Sequence, residues 1–362
     1  MVGQAQVTRP PASPAAAPVA AKGAAPSEAI IRVKDLVKVF EPDIRAVDGI
    51  SFEVRRGEIF GFLGPNGAGK STTIKIITTL LQKTAGGVVV DGFNLEKEPA
   101  KIREIIGYAA QEISVDDDLT GRENLRLQCR FYHIPRDETE ARIDAILKAV
   151  DLVEAADRRA GTYSGGMRRR LDLGMGLISR PKLLFLDEPT TGLDPQNRIA
   201  VWNYIEKLNE RGMTIFLTTQ YMEEADRLAD RLCIIDRGKI VAQGTPAELK
   251  AGIGADVIQI SVRDENGRDA KAAAREVLGR IPNILEVQDF EAGVAVYAKD
   301  GPALVPQVVR SLDEAGVAIA RLTLSEPTLN DVFLKHTGHQ MRVEEVKPQG
   351  RTMFAMRRRA RA

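Results

Sequence analysis

Apolar residues along the chain follow two rhythms, with a change near residue 256. Before it, short unbroken apolar blocks stand between stretches of helical spacing. Residues 57–63, 182–186 and 213–218 are such blocks, rich in Ile, Leu and Phe. Unbroken runs of this length predict strands buried on both faces. With the helical stretches between them they predict an α/β domain over 29–251, its sheet covered on both sides. From about 120 to 180 helical spacing dominates, which predicts a helical subdomain beside the core. Thr245-Pro246-Ala247-Glu248 is a helix start: a capping Thr, Pro at the first position, and a Glu that reaches back. After the change, Val257-Ile258-Gln259-Ile260-Ser261-Val262 alternates like a half-buried strand. A helix near 269–280, strands near 284–290 and 294–298, a helix near 303–315 and a strand near 317–324 follow. The order βαββαβ predicts a small α+β, ferredoxin-like domain over 256–338, closed by a short helix near 329–335.

Composition alters this picture little. The 362 residues are 44% hydrophobic and 28% charged, with a net charge of +1, so no global charge draws the chain to nucleic acid. The two cysteines, Cys129 and Cys233, are far apart. Cys233 lies in the run Leu232-Cys233-Ile234-Ile235 and reads as a reduced core residue, which excludes a disulfide framework. No apolar run approaches the roughly 20 residues that cross a bilayer. Residues 1–28, rich in Ala and Pro, read as a disordered tail. The 339–362 tail carries Arg351, Arg357, Arg358, Arg359 and Arg361. It reads as a solvated basic end, with attraction to anionic lipid or RNA as the alternative.

The most specific chemistry lies between a strand and a helix. Gly64-Pro65-Asn66-Gly67-Ala68-Gly69-Lys70-Ser71 matches G-x-x-x-x-G-K-[ST], a phosphate-binding loop. Glycines let backbone N–H groups converge on phosphate oxygens, and the next helix, with Thr72 in its first turn, starts with unpaired N–H groups and a positive dipole end. Lys70 then reaches the β- and γ-phosphates of a nucleoside triphosphate, and the Ser71 hydroxyl suits Mg²⁺.

Downstream residues narrow the reaction. The block 183–186 ends in Asp187-Glu188. Asp187 is placed to hold Mg²⁺, usually through water. Glu188, one residue on, suits polarising a water for attack on the γ-phosphate. Ser164-Gly165-Gly166, before a helical run, makes a second anion-binding helix start. By itself Ser-Gly-Gly is also an ordinary turn.

Taken in order, these motifs resemble the ATP-binding-cassette family over about 30–251. Ser164-Gly165-Gly166 is similar to the family signature, with Met167 where Gln is commonest. Asp187-Glu188-Pro189-Thr190 resembles Walker B, and Gly192-Leu193-Asp194-Pro195 the D-loop. Gln111 resembles the Q-loop glutamine, which in the family senses Mg²⁺ and water near the membrane partner. The resemblance implies adenine stacking for Phe40, which reads equally as a core strand residue. It also implies a P-loop NTPase cassette with a mixed sheet, ATP and Mg²⁺ as ligands, and a nucleotide held between Lys70 of one chain and Ser164 of a second copy. The family usually has a histidine where this chain has Gln220. A carboxamide donates a hydrogen bond but carries no proton near neutral pH, which leaves Glu188 as the main candidate base.

Thr218-Thr219-Gln220-Tyr221-Met222-Glu223-Glu224-Ala225-Asp226 and Leu329-Asn330-Asp331-Val332-Phe333-Leu334 resemble one branch, the daunorubicin-resistance-type drug-export ATPases. That implies an ATPase subunit on the cytoplasmic face of the membrane, peripheral, driving efflux of a hydrophobic compound through a separately encoded integral-membrane permease, with no nucleic acid as partner. Residues 111–124 are the candidate permease contact, with Asp116, Asp117 and Asp118 either meeting a basic segment or forming a plain exposed loop. The alternatives are export of lipid or polysaccharide and a soluble cassette ATPase acting on ribosomes or DNA.

Overall fold

The computed structural model describes residues 28–253, 256–262, 270–290, 293–325 and 327–339. The expected N-terminal tail, apart from Glu28, and the arginine-rich end beyond His339 lie outside the described residues.

The centre of the cassette is a six-stranded sheet. Its order is Lys239–Gly244, Arg231–Asp236, Ile59–Leu63, Thr214–Thr219, Leu183–Asp187 and Ile106–Ala109. The last five are parallel, and Lys239–Gly244 adds an antiparallel edge, so the sheet is mixed. The unbroken apolar blocks have a simple cause. Alternate side chains enter two different cores, so every position is buried. Phe60, Phe62, Leu183, Phe185 and Phe216 face one core; Ile59, Leu184, Leu186, Ile215 and Leu217 face the other.

The first core is closed by a four-stranded antiparallel sheet, ordered Ile44–Arg55, Ala29–Phe40, Ala85–Val90 and Phe93–Asn94. Helical spacing did not predict it, because register shifts between its first two strands break the regular alternation. Phe52 from this sheet stacks on Phe60 at 5.5 Å. Phe216 lies within 5.5 to 5.9 Å of Phe52, Phe60, Phe62 and Phe185. Ring pairs of this kind add about 0.5–1.5 kcal/mol each beyond the area they bury. They share a core with Ala68 of the phosphate loop and Ile74 of the helix after it. The second core packs the sheet against helices Gly121–Phe131, Arg136–Ala149, Gly165–Gly176 and Pro195–Glu210 through Leu125, Ile143, Leu171, Leu173, Val201 and Ile205. Cys129 and Cys233 are both buried free thiols.

The C-terminal part is the ferredoxin-like α+β unit. Its sheet is antiparallel throughout, ordered Ile284–Phe290, Gly293–Ala298, Asp256–Val262 and Ile319–Ser325. One face is covered by Ala270–Leu278 and Gly301–Glu314, which seat Leu278, Leu304, Val308 and Leu312 over Ile258, Ile260, Val294 and Val296. The other face joins a core with the cassette: Val257, Ala295 and Tyr297 cluster with Phe333, Leu63, Leu232 and Ile234. Phe333 sits on the closing helix Leu329–Thr337, whose start is fixed by a capping box between Thr328 and Asp331. The same device starts the helix Pro246–Ala251, with Thr245 and Glu248 as its two ends.

Candidate active site

The phosphate loop follows the buried strand Ile59–Leu63 and runs into the helix Lys70–Ile77. Its shape demands glycine. A Cβ on Gly64 would stand 2.3 Å from the Ile235 carbonyl oxygen, and Gly69 holds φ +107° with the Ala46 carbonyl 2.4 Å from any Cβ. The loop lines a cavity of about 430 Å³ that also receives Phe40, Asn66, Gly67, Gly69, Lys70, Ser71, Thr72, Gln111 and Glu188. Nine expected residues thus meet at one opening. Gly64, Pro65 and Ala68 shape the loop from behind: the Lys70 ammonium donates to the carbonyls of Gly64 at 2.8 Å and Pro65 at 3.0 Å, and the Ala68 N–H donates to Pro65. Phe40 is 37% exposed, so it is not a core strand residue. Its ring lies at the mouth, with the Lys38 ammonium 4.8 Å from its centre.

Glu188 closes the cavity opposite the loop. It follows the strand Leu183–Asp187 and adopts φ +47°, a left-handed conformation that a non-glycine residue holds only where its surroundings fix it. The Glu188 N–H donates to the carbonyl and hydroxyl oxygens of Thr218 on the neighbouring strand. Its carboxylate pairs with the Lys70 ammonium at 3.0 Å and accepts from the Gln111 amide at 3.3 Å and the Thr191 hydroxyl at 3.2 Å. Both charged partners are nearly water-free, with side chains 3% and 4% exposed. Such burial is tolerated because each charge has the other and further hydrogen bonds.

Asp187 lies beside this pair. It accepts from Ser71 Oγ at 3.2 Å and from Thr218 Oγ1 at 2.5 Å. A hydroxyl and a carboxylate oxygen meeting at a phosphate loop are the hard oxygen donors that suit Mg²⁺. Gln220 follows the strand Thr214–Thr219, which lies beside the one that Glu188 follows. It is buried, and its Oε1 has no hydrogen-bond partner among the described residues. Tyr108 lies on the strand at the other side of Asp187's, its phenol pushed up to about 12 by burial and by the charge of Asp187.

Ser164, Gly165 and Gly166 do not join this cavity. They start the helix Gly165–Gly176, and Ser164 caps it by accepting from the Met167 N–H at 3.2 Å. Ser164 and Gly165 are exposed. Gly166 is packed so closely that a Cβ would stand 2.1 Å from Asn197 Oδ1. Asn197 is in turn held by Asp194, which caps the helix Pro195–Glu210 and accepts from both the backbone and side-chain amides of Asn197. Asp194 is therefore exposed and tied to the Ser164 helix, away from Lys70.

The motifs gave no site role to Thr218, Thr191 or Arg169. Thr218 and Thr191 carry no spacing signal. Arg169 sits in Arg168-Arg169-Arg170, which reads as a solvated charge run, yet only Arg169 of the three is buried. The clue is Asp172, three positions on, in an otherwise apolar helix stripe.

Comparison with known proteins agrees with this geometry. Residues 47–191 match the family described as ABC transporter, and residues 244–337 match the C-terminal domain of DrrA1-3-like ATP-binding proteins. The chain is 42% identical over 303 residues to daunorubicin resistance ATP-binding protein DrrA3 of Streptomyces coeruleorubidus, covering 84% of this chain and 94% of that one. It is 42% identical over 295 residues to doxorubicin resistance ATP-binding protein DrrA of Mycobacterium tuberculosis, covering 81% and 89%. A solved ATP-binding cassette, dimeric in a post-hydrolysis state with ADP and Pi, is 27% identical with a TM-score of 0.54, over 59% of this chain and 98% of that one. The chain belongs to the ATP-hydrolysing ATP-binding subunits of the ABC transporter family, in the daunorubicin-resistance (DrrA-like) branch.

Proposed function

We propose that this chain is the motor subunit of an exporter, working as a head-to-tail pair at the cytoplasmic face of a membrane beneath a permease made by another chain. The observation that carries it is the placement of Glu188. Its carboxylate stands at a phosphate loop, 3.0 Å from the Lys70 ammonium, while the Ser164 helix start is exposed elsewhere. A triphosphate in the cavity gives Lys70 phosphate oxygens in place of its loop carbonyls and Glu188. The freed Glu188 carboxylate accepts the proton of the attacking water as the bond from the γ-phosphorus to the β,γ-bridging oxygen breaks. Ser71 and Asp187 would hold Mg²⁺, which when bound would neutralise charge on the phosphate oxygens. Gln220, buried just after the neighbouring strand, is assigned the hydrogen bond that a carboxamide can donate to the γ-phosphate.

The pairing of two copies is supported by the exposed, capped helix start at Ser164 and by the dimeric form of the solved cassette. A permease partner is supported by the names of the resistance relatives and by an apolar patch. Leu127 and Phe131, one turn apart on one helix, are 36% and 66% exposed, and Ile113 on the preceding loop is 39% exposed. That loop is fastened to the helix by the Asp116 N–H bond to Asn124 and is followed by exposed Asp117 and Asp118. Among the described residues, no helix is long and apolar enough to cross a membrane. The cargo class, a hydrophobic drug-like compound, rests on the relatives' names.

The test is Glu188→Gln in the full chain, measured for ATP binding, turnover and dimer population. Retained binding, lost turnover and accumulated dimers support the reading. Normal turnover in that variant removes Glu188 from its role.

A further inference from the structure

Behind the reacting face lies a buried guanidinium. Arg169 is 2% exposed and its partner Asp172 4%. Arg169 Nε donates to the Pro189 carbonyl at 2.7 Å, and Nη2 donates to the Asp187 carbonyl at 3.3 Å. Nη1 donates to the Ala110 carbonyl at 2.7 Å and to Asp172 Oδ2 at 3.0 Å. The other oxygen of Asp172 accepts the Ser114 N–H at 3.0 Å.

The acceptors follow a pattern. Asp187 and Pro189 are the residues on either side of Glu188. Ala110 is the residue immediately before Gln111. One side chain therefore grips the backbone that flanks both the candidate base and the glutamine that touches it. Glu188 holds φ +47°, a conformation that persists only when the surroundings over-determine it. Arg169 is part of those surroundings. Burial opposes the charge on both Arg169 and Asp172, and their mutual attraction works against that. A buried pair of this sort is weak evidence for stability as such.

The pair also lies on a particular helix. Arg169 is five residues after Ser164 on the rigid helix Gly165–Gly176, roughly 7.5 Å along its axis. The guanidinium, and through it the carbonyls it holds, is thus tied to the helix that starts at Ser164.

We propose that Arg169, oriented by Asp172, is a positioning residue that sets Glu188 and Gln111 and links their placement to the seating of the Ser164 helix on the nucleotide of a second copy. The proposal rests on Glu188 being the base.

The test uses the full chain with Arg169→Met and Asp172→Leu combined, which removes the clamp while filling its volume with apolar atoms. Arg169→Lys, which keeps the charge and loses the fork, is the second variant. The readouts are kcat and KM for ATP, melting temperature, and amide hydrogen exchange. For both variants kcat is expected to fall about ten- to a hundredfold while KM changes less than about threefold. Exchange is expected to quicken at 110–114 and 187–191 and to stay unchanged in 166–176. A folded double variant with kcat within about twofold of the parent overturns the proposal. So does a parallel loss of kcat, ATP affinity and melting temperature, which marks a purely structural pair. The clamp removed in a Glu188→Gln background separates the two ideas. No further loss of residual turnover places Arg169 upstream of Glu188, and an additional loss overturns that placement. If Glu188→Gln alone leaves turnover intact, the base assignment fails, and this proposal fails with it even where the exchange pattern appears.

Discussion

The two ends of the cassette treat their polar groups in opposite ways. At the phosphate loop, Lys70 and Glu188 are buried and joined to each other, to loop carbonyls, to Gln111 and to Thr191. At the Ser164 end, Ser164, Gly165 and Asp194 are exposed; Ser164 and Asp194 cap their own helices, and Asp194 also holds the Asn197 side chain against Gly166. The first end must satisfy itself, because an unpaired buried charge costs several kcal/mol. The second can leave N–H groups at a helix start to water until an anion arrives. One end is a finished pocket and the other is a surface that another molecule completes.

The largest expected effect tests the finished end. Glu188→Gln keeps the shape and the hydrogen bonds to Gln111 and Thr191 but removes the proton acceptor. Turnover is expected to fall by about a hundredfold or more, with ATP binding retained in equilibrium dialysis. A drop below tenfold says that the buried pair is structural and the proton leaves by another route.

The next effect tests whether the two ends belong to different copies. Lys70→Ala and Ser164→Arg are each expected to be inactive alone. A mixture of the two contains pairs with one intact site, made of Lys70 from one copy and Ser164 from the other. Restored turnover on mixing, absent from either variant alone, is the expected result. If mixing restores nothing while mixed dimers form, the contrast between the ends has another origin.

Much of the finished end is legible in the chain because its residues are contiguous. Lys70 and Ser71 belong to one eight-residue motif, and Asp187 and Glu188 to one strand end. The ferredoxin-like order is legible too, since its alternating strands and amphipathic helices follow one another without insertions. What escapes is whatever depends on backbone acceptors. Arg169 finds carbonyls in separate segments, and any residue type can supply a carbonyl. The antiparallel sheet escapes for another reason. Its strands 29–40 and 44–55 pair with irregular register, so the period-2 pattern is blurred. Phe40 stays ambiguous in the sequence because burial, not identity, separates a stacking ring from a core residue, and only the fold sets burial.

A smaller effect concerns the packing that ties the exposed end together. Gly166→Ala drives a methyl group into Asn197, which cannot retreat without leaving Asp194. The expected cost is about 1–3 kcal/mol in urea unfolding. Adding Asn197→Gly opens the space and is expected to recover most of that loss. Recovery of stability without recovery of turnover would show that Asn197 and Asp194 do more than fill volume.

The smallest effect lies beneath both ends. Glu224 is fully buried, and its Oε1 accepts from the Thr190 hydroxyl at 2.7 Å and the Trp202 indole at 2.8 Å. It therefore joins the segment after Glu188 to the helix that Asp194 caps. Burial raises its pKa, against the pull of donors from Thr219, Thr190 and Trp202. A carboxyl raised in the folded state contributes stability that is whole below the unfolded value, about 4.3, and is lost as pH climbs through the folded value. Glu224→Gln keeps an acceptor for Thr190 and Trp202 but cannot ionise. The melting temperature of the parent relative to this variant is therefore expected to decline as pH rises from about 4 through the raised value. All other titrating groups are shared by the two proteins, so the difference isolates this carboxyl. Parallel curves across that range would mean that the three donors hold Glu224 at its ordinary pKa. The contact joining the two ends would then be a plain ionised hub, with no pH dependence of its own.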